Sequence, residues 1–120
     1  MKSYIILAVI LTLSVCSIAD ARVKISGRGA KMNFSADSIA EMYKPSFELL
    51  QAKCVKCHTM ERTVIAVQTG RAPITGQPFN KQAVKAYGIK MLRKPNSDMN
   101  KKEIRDLVVF LKYLLDENAK

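Results

Sequence analysis

Histidine is scarce in this chain: a single residue, His58, stands among 120, with three cysteines and no tryptophan. A structural zinc site takes four ligands, usually as two Cys/His pairs; one close cysteine pair and one histidine do not complete it. A disulfide framework is missing as well. Cys54 and Cys57 are too near each other to join distant parts of a fold, and a bond between them would close a strained short loop. No stretch reads as a convincing strand, so the pair lacks the βαβ context of a thioredoxin-like redox site. No apolar run reaches the ~20 residues of a membrane span, and no internal repeat or low-complexity tract is present. Acidic residues are few, 10 Asp+Glu against 20 Lys+Arg, for a formal net charge of +10. The basic residues show no aromatic interleaving of the kind that binds nucleic acid.

What is present begins with a basic start, Met1-Lys2-Ser3, followed by an uncharged apolar run from Tyr4 to Val15. Ser17-Ile18-Ala19-Asp20-Ala21 then offers small residues at Ala19 and Ala21. Together these predict a cleavable secretory signal over residues 1–21, and a periplasmic or secreted product. Leu13-Ser14-Val15-Cys16 is loosely lipobox-like, but bulky Val15 stands where a small residue is wanted. Lys2 and Asp20 leave with the signal, so the charge is unchanged, while the cysteines fall from three to two.

The remaining pair belongs to Cys54-Val55-Lys56-Cys57-His58, the C-x-x-C-H signature of covalent haem attachment. Two thiols on one turn of chain can each form a thioether to the vinyl groups on one porphyrin edge. The adjacent histidine then supplies an axial nitrogen to the iron. A covalent tether suits a chain too small to enclose the group completely.

The surrounding pattern is helical. Residues 22–34 read as a flexible basic lead-in, and Ser35 or Asp37 can cap a short helix through Met42 and Tyr43. Pro45 suits a first helical turn, with Phe47, Leu50 and Cys54 following at helical spacing. A helix is expected from Thr59 to Gln68, closed by Gly70, then a loop from Arg71 to Asn80. Lys81 to Leu92 reads as a weaker helix interrupted by Gly88. The last helix is the clearest: Asn100 caps it with Glu103 as reciprocal partner. Ile104, Leu107, Val108, Leu111, Leu114 and Leu115 then form an apolar stripe.

From Pro45 to Leu115 the chain resembles a class I c-type cytochrome. The likeness rests on the attachment motif and on Glu103 to Leu111, similar to the family's closing helix with Leu107 and Phe110 at its leucine and aromatic contact positions. Leu50 stands four before Cys54, where the family often has an aromatic residue, and Ser46 stands eight before it, where glycine is usual. The resemblance implies an all-α, cytochrome c-like fold of about four short helices around one covalently bound haem c. It divides the chain into the signal (1–21), a basic lead-in with a short helix (22–44) and a monohaem domain (45–120).

The same resemblance implies an axial methionine on a loop before the closing helix. Met32 and Met42 precede the motif, and Met60 is too near His58 to reach the other haem face. Met91 is favoured, nine residues before Asn100, with Met99 beside the cap as the alternative. The family also implies a backbone carbonyl, typically a proline's, holding the other nitrogen of His58; Pro73 is the residue at hand. Arg62 is placed to pair with a haem propionate.

The function expected is one-electron transfer by a monomer that is not an enzyme. Two alternatives stand beside it: a haem subunit tethered to a respiratory or dehydrogenase complex, if residues 1–21 remain as a membrane anchor, and a ligand-binding or peroxidase-like protein with an open sixth site. The second has no additional histidine to act on peroxide. Lys53 and Lys56 flank the cysteines, and Lys90, Arg93, Lys94, Lys101 and Lys102 surround the Met91 region. This ring would steer acidic redox-partner proteins, the electron donor and acceptor.

Overall fold

The closing helix sets the frame. In the computed structural model, which describes residues 22–120, helix α4 runs Lys101–Asn118. The predicted capping box is formed. The Asn100 side chain accepts from the Glu103 amide at 2.9 Å, and the Glu103 carboxylate accepts from the Asn100 amide at 2.9 Å. Its apolar stripe turns inward, burying Ile104, Leu107, Leu111 and Leu114, with Phe110 completely enclosed. The expected signal peptide and Cys16 lie outside the described residues.

Helix α1 (Lys44–Lys53) has Pro45 in its first turn, where the missing amide is not needed. It buries Phe47 and Leu50 against α4, and the rings of Phe47 and Phe110 lie 6.1 Å apart. Helix α2 (Met60–Thr69) starts at Thr59 and ends as expected at Gly70, whose left-handed φ of 68° suits a residue without Cβ. Helix α3 (Val84–Leu92) lies along α4. The loop from Arg71 to Asn80 is pinned at its base by an isolated bridge between Arg71 and Pro78. The architecture is mostly helical, of the all-α class. Among the described residues, no helix is long and apolar enough to cross a membrane.

Two expectations are corrected here. The lead-in is not a flexible tail. Ile25–Ser26 (β1) pairs antiparallel with Asn33–Phe34 (β2), and Phe34 and Ile39 enter the same core as α1, α2 and α4. The predicted short helix is instead two 3-10 turns, Ala36–Ser38 and Glu41–Tyr43. Tyr43 then stacks on Tyr113 of α4 at 4.1 Å, and the Tyr113 hydroxyl accepts from the Ala40 amide at 3.1 Å. The other correction concerns Gly88, which does not interrupt α3. A Cβ there would lie 3.0 Å from Val108 Cγ2 and 3.2 Å from Ile104 Cγ2, so the glycine lets α3 approach α4 closely.

Candidate functional site

The attachment motif occupies the corner between α1 and α2. Helix α1 stops at Lys53, a 3-10 turn carries Cys54–Lys56, and Thr59 opens α2 with extended backbone. This tight corner leaves Cys54 and His58 half-buried and Cys57 exposed. Both thiols are free. Burial, with Cys57 adding to it, pushes the Cys54 thiol up to about 11, so it stays protonated at neutral pH. His58 Nδ1 lies 3.0 Å from its neighbour's carbonyl, Thr59 O. An imidazole donating from Nδ1 keeps the lone pair of Nε2 free for a metal. That carbonyl is Thr59's, not the one expected from Pro73, because the turn into α2 brings it to the ring first.

A cleft of about 580 Å³ opens beside this corner, within the range of small-molecule and cofactor sites. The six side chains expected from the sequence to hold the group line it: Cys54, Cys57, His58, Arg62, Met91 and Met99. Leu50, Leu107 and Leu111 supply its apolar floor, and Pro73 and Ile74 its outer edge. Ile74 remains 72% exposed despite lining the cleft. Among the described residues, no group of three or more His, Cys, Asp or Glu is arranged to hold a metal ion. The motif's three side chains therefore do not close on a bare ion.

Met91 is not on a loop as expected. It lies in the last turn of α3, because the helix persists to Leu92 before Pro95 ends the pattern. Met99 occupies the position before the Asn100 cap, with Ile104 four residues into the helix. That spacing is the one a hydrophobic staple uses, and Met99 lines the cleft from the start of α4. Both methionines are half-buried.

Sequence reasoning missed Tyr87. Its hydroxyl is buried and has no hydrogen-bond partner, a costly state for a polar group. Its ring is held by Phe79 at 5.2 Å and by the Lys90 ammonium at 5.5 Å. The available signal was its place four residues before Met91, one turn back on the same helix face. The charged side chains lining the cleft are Arg62, Lys90 and Lys94, with no carboxylate among them. The walls thus combine apolar side chains with positive charge, which suits an amphipathic occupant that carries negative charge.

Lys53 and Lys56, which flank the cysteines, are both engaged by an acidic side chain. Both donate to Asp98 Oδ2, at 3.0 and 3.1 Å, and Lys53 also donates to the Asp98 carbonyl at 2.5 Å. The hydrogen bonds from Lys53 and Lys56 hold the Asp98 carboxyl below the usual carboxylate range. Compared with known proteins, the chain matches no family model, no curated protein and no solved structure.

Proposed function

We propose that the chain is a c-type cytochrome: a one-electron carrier, not an enzyme, with a cytochrome c-like fold and one covalently held haem c. Support comes above all from one observation. The two cysteines and the histidine of a C-x-x-C-H motif line the same apolar cleft as a pair of methionines, across some 45 residues of chain. Haem c, when bound, supplies one-electron exchange at its iron.

The chain's own residues do the rest. Cys54 and Cys57 would carry the thioether links, and His58 would offer Nε2 to the iron with its Nδ1 toward the Thr59 carbonyl. Met91 would offer sulfur as the second, as the family spacing favours, with Met99 as the alternative; both line the cleft. A soft neutral thioether favours the ferrous state and raises the potential. Arg62, Lys90 and Lys94 attract the carboxylates of the group, and Leu50, Leu107 and Leu111 keep water from its apolar face. Acidic redox proteins are the natural partners of a chain of net charge +10. The export signal places the work in the periplasm or outside the cell.

Mass and absorption spectra of the protein purified from a haem-c-assembling host test this. The mass should exceed that of the polypeptide by one haem. The oxidised protein should show the weak near-infrared sulfur-to-iron band, lost in Met91→Ala and kept in Met99→Ala. A colourless, bare polypeptide would end the proposal. Absence of the band together with carbon monoxide binding to the ferrous form would instead favour an open-site ligand-binding protein.

A further inference from the structure

Two parts of the site that lie far apart in sequence are fastened directly to each other. Lys53 precedes Cys54 and Lys56 precedes Cys57, and both reach to Asp98 on the segment between Met91 and α4. Lys53 also approaches Glu103 of the capping box at 3.9 Å. Asp98 is held in left-handed backbone, φ 52°, and so is Asn96, φ 60°. Asparagine and aspartate are the non-glycine residues that adopt this conformation most readily, so both positions suit a tight turn.

The segment itself is bonded stepwise back to Met91. The Lys94 amide donates to the Met91 carbonyl at 3.1 Å, and the Ser97 amide to the Lys94 carbonyl at 3.2 Å. The Ser97 hydroxyl donates to the Leu92 carbonyl at 3.0 Å. From Met91 to Asp98 the turn is thus stiff, and its far end is clasped to the cysteine-bearing corner. No other link this dense joins the α3–α4 connection to the motif among the described residues.

Resting on the haem c reading above, we propose that Asp98 is a positioning residue: its clasp on Lys53 and Lys56 holds the Met91 sulfur at a fixed distance from the His58 corner. Breaking the clasp frees the turn to swing, and Met91 then yields its ligand position more readily. The effect passes through the backbone, and Asp98 itself touches no part of the bound group.

The experiment titrates oxidised haem-bearing protein with imidazole, following loss of the sulfur-to-iron band. Wild type is compared with Asp98→Asn, which tolerates the left-handed backbone but removes the charge, and with the Lys53→Met, Lys56→Met double variant. Both should be displaced at about two- to fivefold lower imidazole, the range expected for exposed ion pairs. Combining them should add little, and Asp98→Glu should recover part of the loss. Asp106→Ala, which breaks the Lys102–Asp106 pair on the same helix system, should match wild type. If wild type shows the band and Asp98→Asn is displaced at the wild-type concentration, the clasp does not position Met91, even should the variant melt earlier. A wild type without the band removes the haem ligation on which the clasp would act.

Discussion

Gly88 of α3 sits so close to Val108 of α4 that a methyl group added to the glycine would lie 3.0 Å from Val108 Cγ2. Both obstacles, Val108 and Ile104, are β-branched and stiff at χ1, so they cannot swing aside cheaply. Gly88→Ala gains helix propensity of about 1 kcal/mol, which roughly offsets mild overpacking. Gly88→Val gains less than Ala does and must push the helices apart, costing about 1–3 kcal/mol. Because α3 carries Tyr87 and Met91 into the cleft, the separation also displaces them. Denaturant midpoints of the two variants should show Ala near wild type and Val clearly below it.

The orphaned hydroxyl of Tyr87 makes a second prediction. In haem-free protein this group is buried without a partner. Removing such a hydroxyl removes a desolvation penalty of about 1–3 kcal/mol, while the ring contacts with Phe79 and Lys90 survive in phenylalanine. Tyr87→Phe should therefore raise the stability of the haem-free protein, measured by urea unfolding. A loss of stability would mean that the hydroxyl has a partner in the apoprotein after all.

The elements legible in the sequence are those whose signals are local. Asn100 and Glu103 mark a helix start within four residues, and the stripe from Ile104 to Leu114 repeats often enough to fix the buried face. Gly70 likewise marks the end of α2. The hairpin of β1 and β2 was not legible, since each strand has two residues and no alternation can be read from so few. Gly88 was misread because glycine signals a break locally, whereas here close packing of α3 on α4 requires it. The roster of cleft residues was legible through the C-x-x-C-H motif and the family resemblance. What escaped was the company they keep: the buried Tyr87 hydroxyl and the clasp on Asp98 depend on contacts between segments distant in sequence.

Acid should weaken the clasp in a defined direction. The Asp98 carboxyl is held below the usual carboxylate range by the hydrogen bonds from Lys53 and Lys56. A carboxyl with a lowered folded-state pKa contributes stability that is complete above its unfolded value and lost as pH falls through the folded one. Wild type should therefore lose an increment of melting temperature on descending below about pH 4, where Asp98→Asn, already uncharged, should not. The difference between the two melting curves should shrink toward the acid end. It should shrink also with added salt, since the pair is exposed and screened. A gap that stays constant from neutral pH into the acid range would show that the carboxylate's charge is not what the lysines grip.

The lead-in should prove to be part of the folding unit. Phe34 is 2% exposed and Ile39 3% exposed, and both join the core that α4 organises. Fully burying such side chains contributes about 1.5–3 kcal/mol each, and truncating a buried phenylalanine costs about 3–5 kcal/mol. Domains of this size have a margin of about 5–15 kcal/mol, so Phe34→Ala should take a large part of it. No residue of the lead-in lines the cleft, so on the haem c proposal the variant should still attach haem while its unfolding midpoint falls steeply. Deleting residues 22–40 would also remove the amide that the Tyr113 hydroxyl accepts from and uncover the core face beneath Phe34. Thermal unfolding of the haem-bearing forms decides the matter. A truncated protein that melts with wild type would make the segment a passenger, and one that melts far earlier would make residue 22, not residue 45, the effective start of the domain.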